Sequence, residues 1–183
     1  CYGDHMLSQT AHRIVRWHPI ILTTILIAGF VVQMGTAGLN PSPLARGVLL
    51  LTPLGPMCVW LWAIFHVSKL GSEATVSNRR EWIFALPPLI AFAAGVAGWS
   101  TNNSPAALAV FLSLFVGISW TAKTLENVDA PTGNTTVGRM LATAILMYLA
   151  PIGAWVLRPK ILRVAAHSQV APPPSNRRPQ YHS

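Results

Sequence analysis

The chain has 183 residues, of which 52% are hydrophobic and only 10% are charged, and its mean hydropathy is +0.46. Soluble domains carry roughly 25% charged residues, so this chain has too little polar surface for a water-soluble particle. Its net charge of +8 would suggest nucleic acid as the partner of a soluble chain. In a membrane protein the same excess is expected from loop Lys and Arg near anionic headgroups, so we expect lipid and no nucleic acid as the partner.

Segments without any Asp, Glu, Lys or Arg predict the membrane spans. Such segments cover 17–45, 47–68, 82–122 and 140–157. A hydrocarbon core of about 30 Å needs about 20 apolar helical residues, and the third segment is long enough for two spans joined by a polar turn. The sequence therefore predicts an all-α, polytopic transmembrane helical bundle of five spans, at about 17–39, 47–68, 82–99, 105–122 and 140–157.

The flanking segments divide the chain into three parts. Residues 1–16 form an N-terminal segment, residues 17–157 the transmembrane domain, and residues 158–183 a basic, proline-rich tail. His5-Met6 is the pair that a common cloning site encodes, so residues 1–5 are left out of functional reasoning. In the tail, we expect the cations of Arg158, Lys160 and Arg163 to contact lipid or a partner.

Prolines within three spans predict kinks in the second, third and fifth helices, because proline removes a backbone hydrogen bond. These prolines are Pro53, Pro56, Pro87, Pro88 and Pro151. Four spans are the alternative to five, with the third predicted span, at about 82–99, as the expected re-entrant one. Four spans would place both chain ends on one side, whereas five place them on opposite sides.

Small residues recur along the third and fourth predicted spans and predict a helix-packing seam, because they let helix backbones approach closely in lipid. We expect this seam to pack the two spans against their neighbours, with a face for a separate subunit as the alternative. The seam consists of Ala91, Gly95, Gly98, Ala109, Ser113 and Gly117.

Two histidines are candidate cofactor ligands. His18 begins the first predicted span and His66 ends the second, so antiparallel spans would place both at the same face of the membrane. There they can ligate a haem iron, or they can simply lie among the headgroups as tryptophans do. We predict no cofactor and no metal site, with haem as the alternative.

Polar groups within the predicted spans are few, and none is charged, which counts against transport. In a channel or transporter, Gln33 and Thr52 would have to line the path. Glu126 and Asp129 lie after the fourth predicted span, and we interpret them as a solvated loop, with a cation site as the alternative. We find no motif of hydrolytic or transfer chemistry, and we predict that the protein is not an enzyme.

The preferred hypothesis is a non-catalytic, multi-pass protein of the bacterial inner membrane. It would act as an accessory or assembly subunit of a larger membrane complex, through helix packing and lipid contact. A small channel or transporter is the first alternative. A haem-binding membrane electron carrier that uses His18 and His66 is the second.

Overall fold

The computed structural model describes residues 2–36, 38–72, 78–98, 105–130 and 136–170. Every regular element in these ranges is helical, so the predicted all-α fold is confirmed. A 3₁₀ segment, Asn78–Phe84, precedes the fourth helix. The helices are α1 Tyr2–Val15, α2 Pro19–Gly35, α3 Pro43–Gly71, α4 Leu86–Val96, α5 Pro105–Asp129, α6 Val137–Tyr148 and α7 Ala150–Val170.

Two of these helices, α3 with 29 residues and α5 with 25, are long and apolar enough to cross a membrane. A third crossing is added if Met6–Val15 and α2, which are bent by 87° relative to each other, count as one broken span. Glu81–Val96 and α6 are shorter apolar helical stretches. The predicted number of five spans is not confirmed.

Side-chain caps fix where α2 and α3 begin. The Nδ1 atom of His18 accepts the N–H of Ile20 at 3.4 Å, and Ser42 Oγ accepts the N–H of Ala45 at 3.3 Å. A proline follows each cap, at the helical position where a missing N–H costs nothing. His18 is therefore a helix cap in addition to being an aromatic side chain.

The prolines have different roles in the two helices that follow. α3 stays helical through Pro53 and Pro56, whereas Pro87 and Pro88 lie in the first turn of α4. The predicted third span is therefore a 3₁₀ segment followed by a short helix that begins at its prolines. The predicted kinks of the second, third and fifth helices stay predictions.

The predicted fifth span does not form one helix, because α6 ends at Tyr148 and α7 begins at Ala150. Arg139 before this break and Lys160 after it both contact Glu126. One straight helix would separate these two residues by about 30 Å, since each residue adds about 1.5 Å. The segment is instead a hairpin, called here the α6–α7 hairpin, whose outer ends lie together.

The last turns of α3, α5 and α7 meet at one end of the bundle. A Cβ added to Gly71 would lie 3.2 Å from Val128 and 3.9 Å from the carbonyl oxygen of Val164. We call this the basic end, because most described Lys and Arg side chains lie there. At the opposite end Gly47 of α3 contacts Gly95 of α4, so α3 and α4 are antiparallel.

Burial changes along the helices from the opposite end to the basic end. The first half of α5 exposes Phe111 and Phe115 by half or more, whereas its last turns bury Leu125 and Glu126. In α3 the core residues Leu61, Ile64 and Phe65 are almost fully buried. The bundle thus has a closely packed basic end, and the rest of its length is an exposed apolar belt, as expected if lipid surrounds the belt.

Candidate functional site at the basic end

One cluster of polar side chains forms around Glu81 of the 3₁₀ segment. Trp62, His66 and Lys69 lie on one face of α3, because they are spaced four and three residues apart. Trp62 Nε1 lies 3.3 Å from one carboxylate oxygen. His66 Nδ1 and Lys69 Nζ lie 3.3 Å and 3.0 Å from the other. Glu81 thereby ties the 3₁₀ segment to the end of α3.

The pKa of Glu81 lies below its ordinary value. Burial alone would raise this pKa, but hydrogen bonds from Lys69 and Trp62 and the charges of His66 and Lys69 outweigh the effect of burial. The carboxylate is therefore ionised at neutral pH and attracts the end of α3. The indole ring of Trp62 also lies against the imidazole of His66, with ring centroids 5.4 Å apart.

A second cluster joins α5 to the α6–α7 hairpin around Glu126 and Asp129. Glu126 contacts Lys160 and the hydroxyl of Thr143 through one oxygen. Asp129 lies 3.5 Å from Lys160 and 3.2 Å from Arg163. Two carboxylates one helical turn apart thus hold cations from α7, which closes the hairpin onto α5.

Glu126 is the most buried charged side chain of this cluster. Its side chain is 1% exposed, and its second oxygen lies 3.5 Å from Arg139 Nε without making a hydrogen bond. Removing one partner of a buried ion pair leaves an uncompensated charge, which is strongly destabilising. We therefore regard the Glu126 cluster as the main electrostatic connection between α5 and the hairpin.

The interpretation of Glu126 and Asp129 as a solvated loop is overturned, because both lie in the last turns of α5 and are largely buried. Lys160, whose contact with lipid or a partner stays a prediction, has a side chain that is 13% exposed and paired with Glu126. Arg163 pairs with Asp129 while staying 65% exposed. Arg158 lines an apolar cavity on another side of α7.

The two candidate haem ligands have different neighbours. The His18 ring lies edge-on to Trp155 at 5.4 Å, whereas His66 contacts Glu81 and Trp62. Among the described residues, no group of three His, Cys, Asp or Glu side chains is placed to hold a metal ion. The haem alternative stays a prediction.

The small residues of the predicted seam lie at several different contacts. Ala91 and Gly95 are buried in α4, and a Cβ on Gly95 would lie 2.7 Å from the Cα of Gly47. Gly117 of α5 lies beneath the ring of Phe84. Gly98 follows the C-cap of α4 with a φ of 72°, a conformation that favours glycine.

Two polar side chains of the predicted spans bond to the backbone of their own helix. Ser113 donates to the carbonyl of Val110, and Thr52 to that of Leu49, both within their own helices. Ala109 and Gln33 are half-buried. Thr23 instead reaches across to the carbonyl of Pro151 at 3.3 Å, which connects α2 to α7.

No family model matches the chain, no curated protein matches its sequence, and no solved structure matches its fold. Sequence reasoning identified His66 as notable, but it missed Glu81, Glu126 and Asp129 as internal partners. The spacing of Glu126 and Asp129 by three residues, and of Lys160 and Arg163 likewise, was the available signal.

Proposed function

We propose that the protein is a non-catalytic, membrane-embedded subunit that acts by associating with other membrane proteins. The observation that carries this proposal is the open apolar surface of α2. The helix buries a single stripe, formed by Pro19, Leu22, Leu26 and Gly29, against α3 and α7. Its spacing of three and four residues is that of one helix face.

The other faces of α2 carry large apolar side chains that the described bundle leaves uncovered. These are Ile20, Ile21, Ile25, Ile27, Phe30, Val31, Val32 and Met34, all more than a third exposed. Lipid can cover such a surface, and so can a helix of another subunit. An elongated surface on one peripheral helix is well suited to a neighbouring chain.

The polar side chains support the same proposal, because they act between helices of this chain. Glu81 joins the 3₁₀ segment to α3, and Glu126 joins α5 to the α6–α7 hairpin. These pairs stabilise a rigid scaffold whose apolar surfaces can present a fixed shape to a partner.

We also propose an arrangement in the membrane. In it, α2, α3, residues 82–98 and α5 cross the bilayer, and the α6–α7 hairpin enters and leaves at the basic end. Glu81 lies outside these crossings, beside Lys69 at the basic end. This arrangement is the four-span alternative, with the hairpin in place of the third predicted span as the re-entrant part. Eight of the described cations belong to helix ends or helices at the basic end: Arg13, Arg16, Lys69, Lys123, Arg139, Arg158, Lys160 and Arg163. Arg46 alone among described cations lies near the opposite end, beside Gly98. By the positive-inside rule, the basic end faces the cytoplasm, and we assign the protein to the bacterial inner membrane.

The proposal is tested by extracting the protein gently from its native membrane and measuring the mass and composition of the particle. We expect a stoichiometric assembly with at least one other membrane protein. Recovery as a lone monomer or as a small homo-oligomer would exclude the accessory-subunit function.

Substitutions on two exposed faces then locate the contact. Replacing Phe30 and Val31 of α2 by Ala should release the partner, because both side chains are half or more exposed on the open face. The matched control replaces Phe111 and Phe115 of α5, which are equally exposed, and should leave the assembly intact. Loss of the partner in the α5 control alone would move the contact away from α2.

A second candidate function, a small proton or cation transporter, is favoured by one observation. Glu126 is fully buried, and its second carboxylate oxygen makes no hydrogen bond among the described residues. Ionisable groups at such positions often mark ion pathways. Reconstituted protein would then carry flux that Glu126→Gln abolishes and that Lys123→Gln, which changes an exposed charge on the same helix, preserves.

A further inference from the structure

A cavity of about 280 Å³ lies where the bend between α1 and α2 meets α3 and α7. Its walls are mostly apolar and include Val15, Leu22, Pro56, Trp60 and Ile161. Among the described residues that line it, Arg158 is the one charged side chain. The cavity therefore combines an apolar interior with a single cation.

Arg158 differs from the next two cations of α7. Lys160 contacts Glu126, and Arg163 lies 3.2 Å from Asp129. Within the part of the chain that the structure describes, no carboxylate forms an ion pair with Arg158. A guanidinium that lines an apolar cavity without a carboxylate is suited to an anion brought by a ligand.

The depth of the cavity matches the boundary between headgroups and hydrocarbon. It extends from Ile14 of α1, at the basic end, to Ile25 of α2 in the apolar belt. Trp17 at its edge is 43% exposed, and tryptophan rings favour the headgroup level. In the proposed placement in the membrane, Arg158 is then near the depth at which a phospholipid carries its phosphate.

We propose that this cavity binds one acyl chain of an anionic phospholipid from the leaflet at the basic end, with the lipid phosphate contacting Arg158. The inference rests on the proposed placement in the membrane and goes beyond the proposed function. The cavity volume is at the lower limit of ligand pockets, about 300–1,000 Å³, which fits one chain better than a whole lipid. The bidentate geometry of arginine suits a phosphate.

The test uses the purified full chain in detergent and native mass spectrometry with defined lipids. Phosphatidylglycerol and phosphatidylcholine that carry the same acyl chains are titrated separately. We expect one retained phosphatidylglycerol, with phosphatidylcholine bound at least tenfold more weakly. Both lipids carry a phosphate, but the choline ammonium of phosphatidylcholine offsets its charge. Equal retention of the two lipids would therefore overturn the selectivity for an anionic lipid.

Two charge variants separate a built site from general attraction to a basic surface. Arg158→Gln should weaken phosphatidylglycerol binding about tenfold, the effect of losing one charge-assisted contact. Arg163→Gln is the matched control on the same helix and should change binding less than twofold. Equal losses in the two variants would show diffuse surface attraction and overturn the site.

Two further experiments test whether the acyl chain occupies the cavity. Ala154 is 4% exposed and lies in the cavity wall, so Ala154→Leu should fill the space and weaken lipid retention while Arg158 is kept. Ala142→Leu, at an exposed position of α6, is its control. Glycerol phosphate, which has the anion without the chain, should not displace the lipid, and displacement would overturn the role of the cavity.

These measurements are independent of the proposed association. They use the isolated chain, so the lipid site can fail while a partner is still found in native membranes. In the reverse case, a lone protein in native membranes can still retain one anionic lipid. The fold of each variant is checked by its helical circular dichroism, because a folded Arg158→Gln protein that keeps full lipid selectivity contradicts the proposal directly.

Discussion

Glu126 is the residue whose loss should cost the bundle most stability. Glu126→Gln removes the charge that faces Lys160 and Arg139 and leaves Lys160, only 13% exposed, without its closest anion. We expect the free energy of unfolding to fall by about 3 kcal/mol, the cost typical of breaking a buried ion pair. The measurement is an unfolding titration with a denaturing detergent, followed by circular dichroism.

Lys123→Gln is the control for this prediction, because Lys123 is exposed on the same helix. It should change the free energy of unfolding by about 0.5 kcal/mol or less. Glu126→Gln combined with Lys160→Met should recover part of the loss, since neither charge then remains unpaired. A Glu126→Gln protein as stable as the Lys123→Gln protein would contradict the importance given to this cluster.

Glu81 should make stability depend on pH in the acidic range. Burial raises the pKa of Glu81 in the folded protein, but the hydrogen bonds from Lys69 and Trp62 lower it by more, so the net pKa is lowered. A group with a lowered folded-state pKa stabilises the fold above its unfolded pKa, about 4.3 for Glu, and this contribution is lost as the pH falls through the folded-state pKa. Glu81→Gln should therefore be less stable than wild type by about 2 kcal/mol at pH 7.

The measurement for Glu81 is the difference in unfolding free energy between wild type and Glu81→Gln from pH 7 to pH 3. The difference should stay constant down to about pH 5 and shrink below about pH 4. Other carboxylates titrate in both proteins and cancel. The same comparison in a His66→Gln background removes one neighbour of the carboxylate. A difference that persists undiminished at pH 3 would refute the assignment.

Residue identity alone could not reveal these clusters, for a physical reason. A lack of charge shows where lipid can contact a helix, and the predicted fourth span therefore ended before Lys123. The helix itself continues to Asp129, because a charged residue ends the apolar surface without ending the backbone hydrogen bonds. Glu126 contacts Lys160, which lies 34 residues further along the chain. The three-residue spacing within each pair does not predict this contact, because it depends on the hairpin.

The contact between α3 and α4 depends on two glycines, Gly47 and Gly95, whose backbones lie against each other. Gly95→Ala would place a methyl group 2.7 Å from the Cα of Gly47, where backbone atoms cannot move aside easily. We expect a loss of about 2 kcal/mol in the free energy of unfolding, as overpacking of a close contact typically causes. The loss should be measured by the same detergent titration.

Gly55→Ala is the matched control for that contact. Gly55 lies within α3, and a Cβ there would meet nothing within 4 Å. This substitution should leave stability unchanged or raise it by up to about 1 kcal/mol, because alanine has the higher helix propensity. If the two variants were equally stable, close approach at Gly95 would not be needed for packing α3 against α4.

The apolar segments predict where helices occur, but they do not predict whether a helix crosses the bundle or turns back within it. The second and fourth predicted spans correspond to α3 and α5, the two helices long enough to cross a membrane. Segment 140–157 is as apolar as a span, yet it turns back at Leu149. A Cβ on Gly153 would lie 1.8 Å from the carbonyl oxygen of Leu146, so this turn requires a glycine, a constraint that hydropathy does not measure.

The α6–α7 hairpin changes how the basic residues are distributed between the two ends of the bundle. Five straight crossings divide the cations between the two faces of the membrane, and the orientation is then weakly determined. With α6 and α7 folded together, Arg139 and Lys160 lie at the same end as Lys69. The asymmetry of charge becomes strong, and the positive-inside rule then favours one orientation.

Three cysteine substitutions test this arrangement. Gln9, Asn40 and His167 are exposed, and each is replaced singly by Cys in a Cys1→Ser background, in which the remaining Cys58 is buried. In sealed vesicles, an impermeant maleimide should label Gln9→Cys and His167→Cys from the cytoplasmic face and Asn40→Cys from the other. Five crossings would place Gln9 and His167 on opposite faces, so labelling of these two positions from different sides would rule out the proposed hairpin and restore the fifth span.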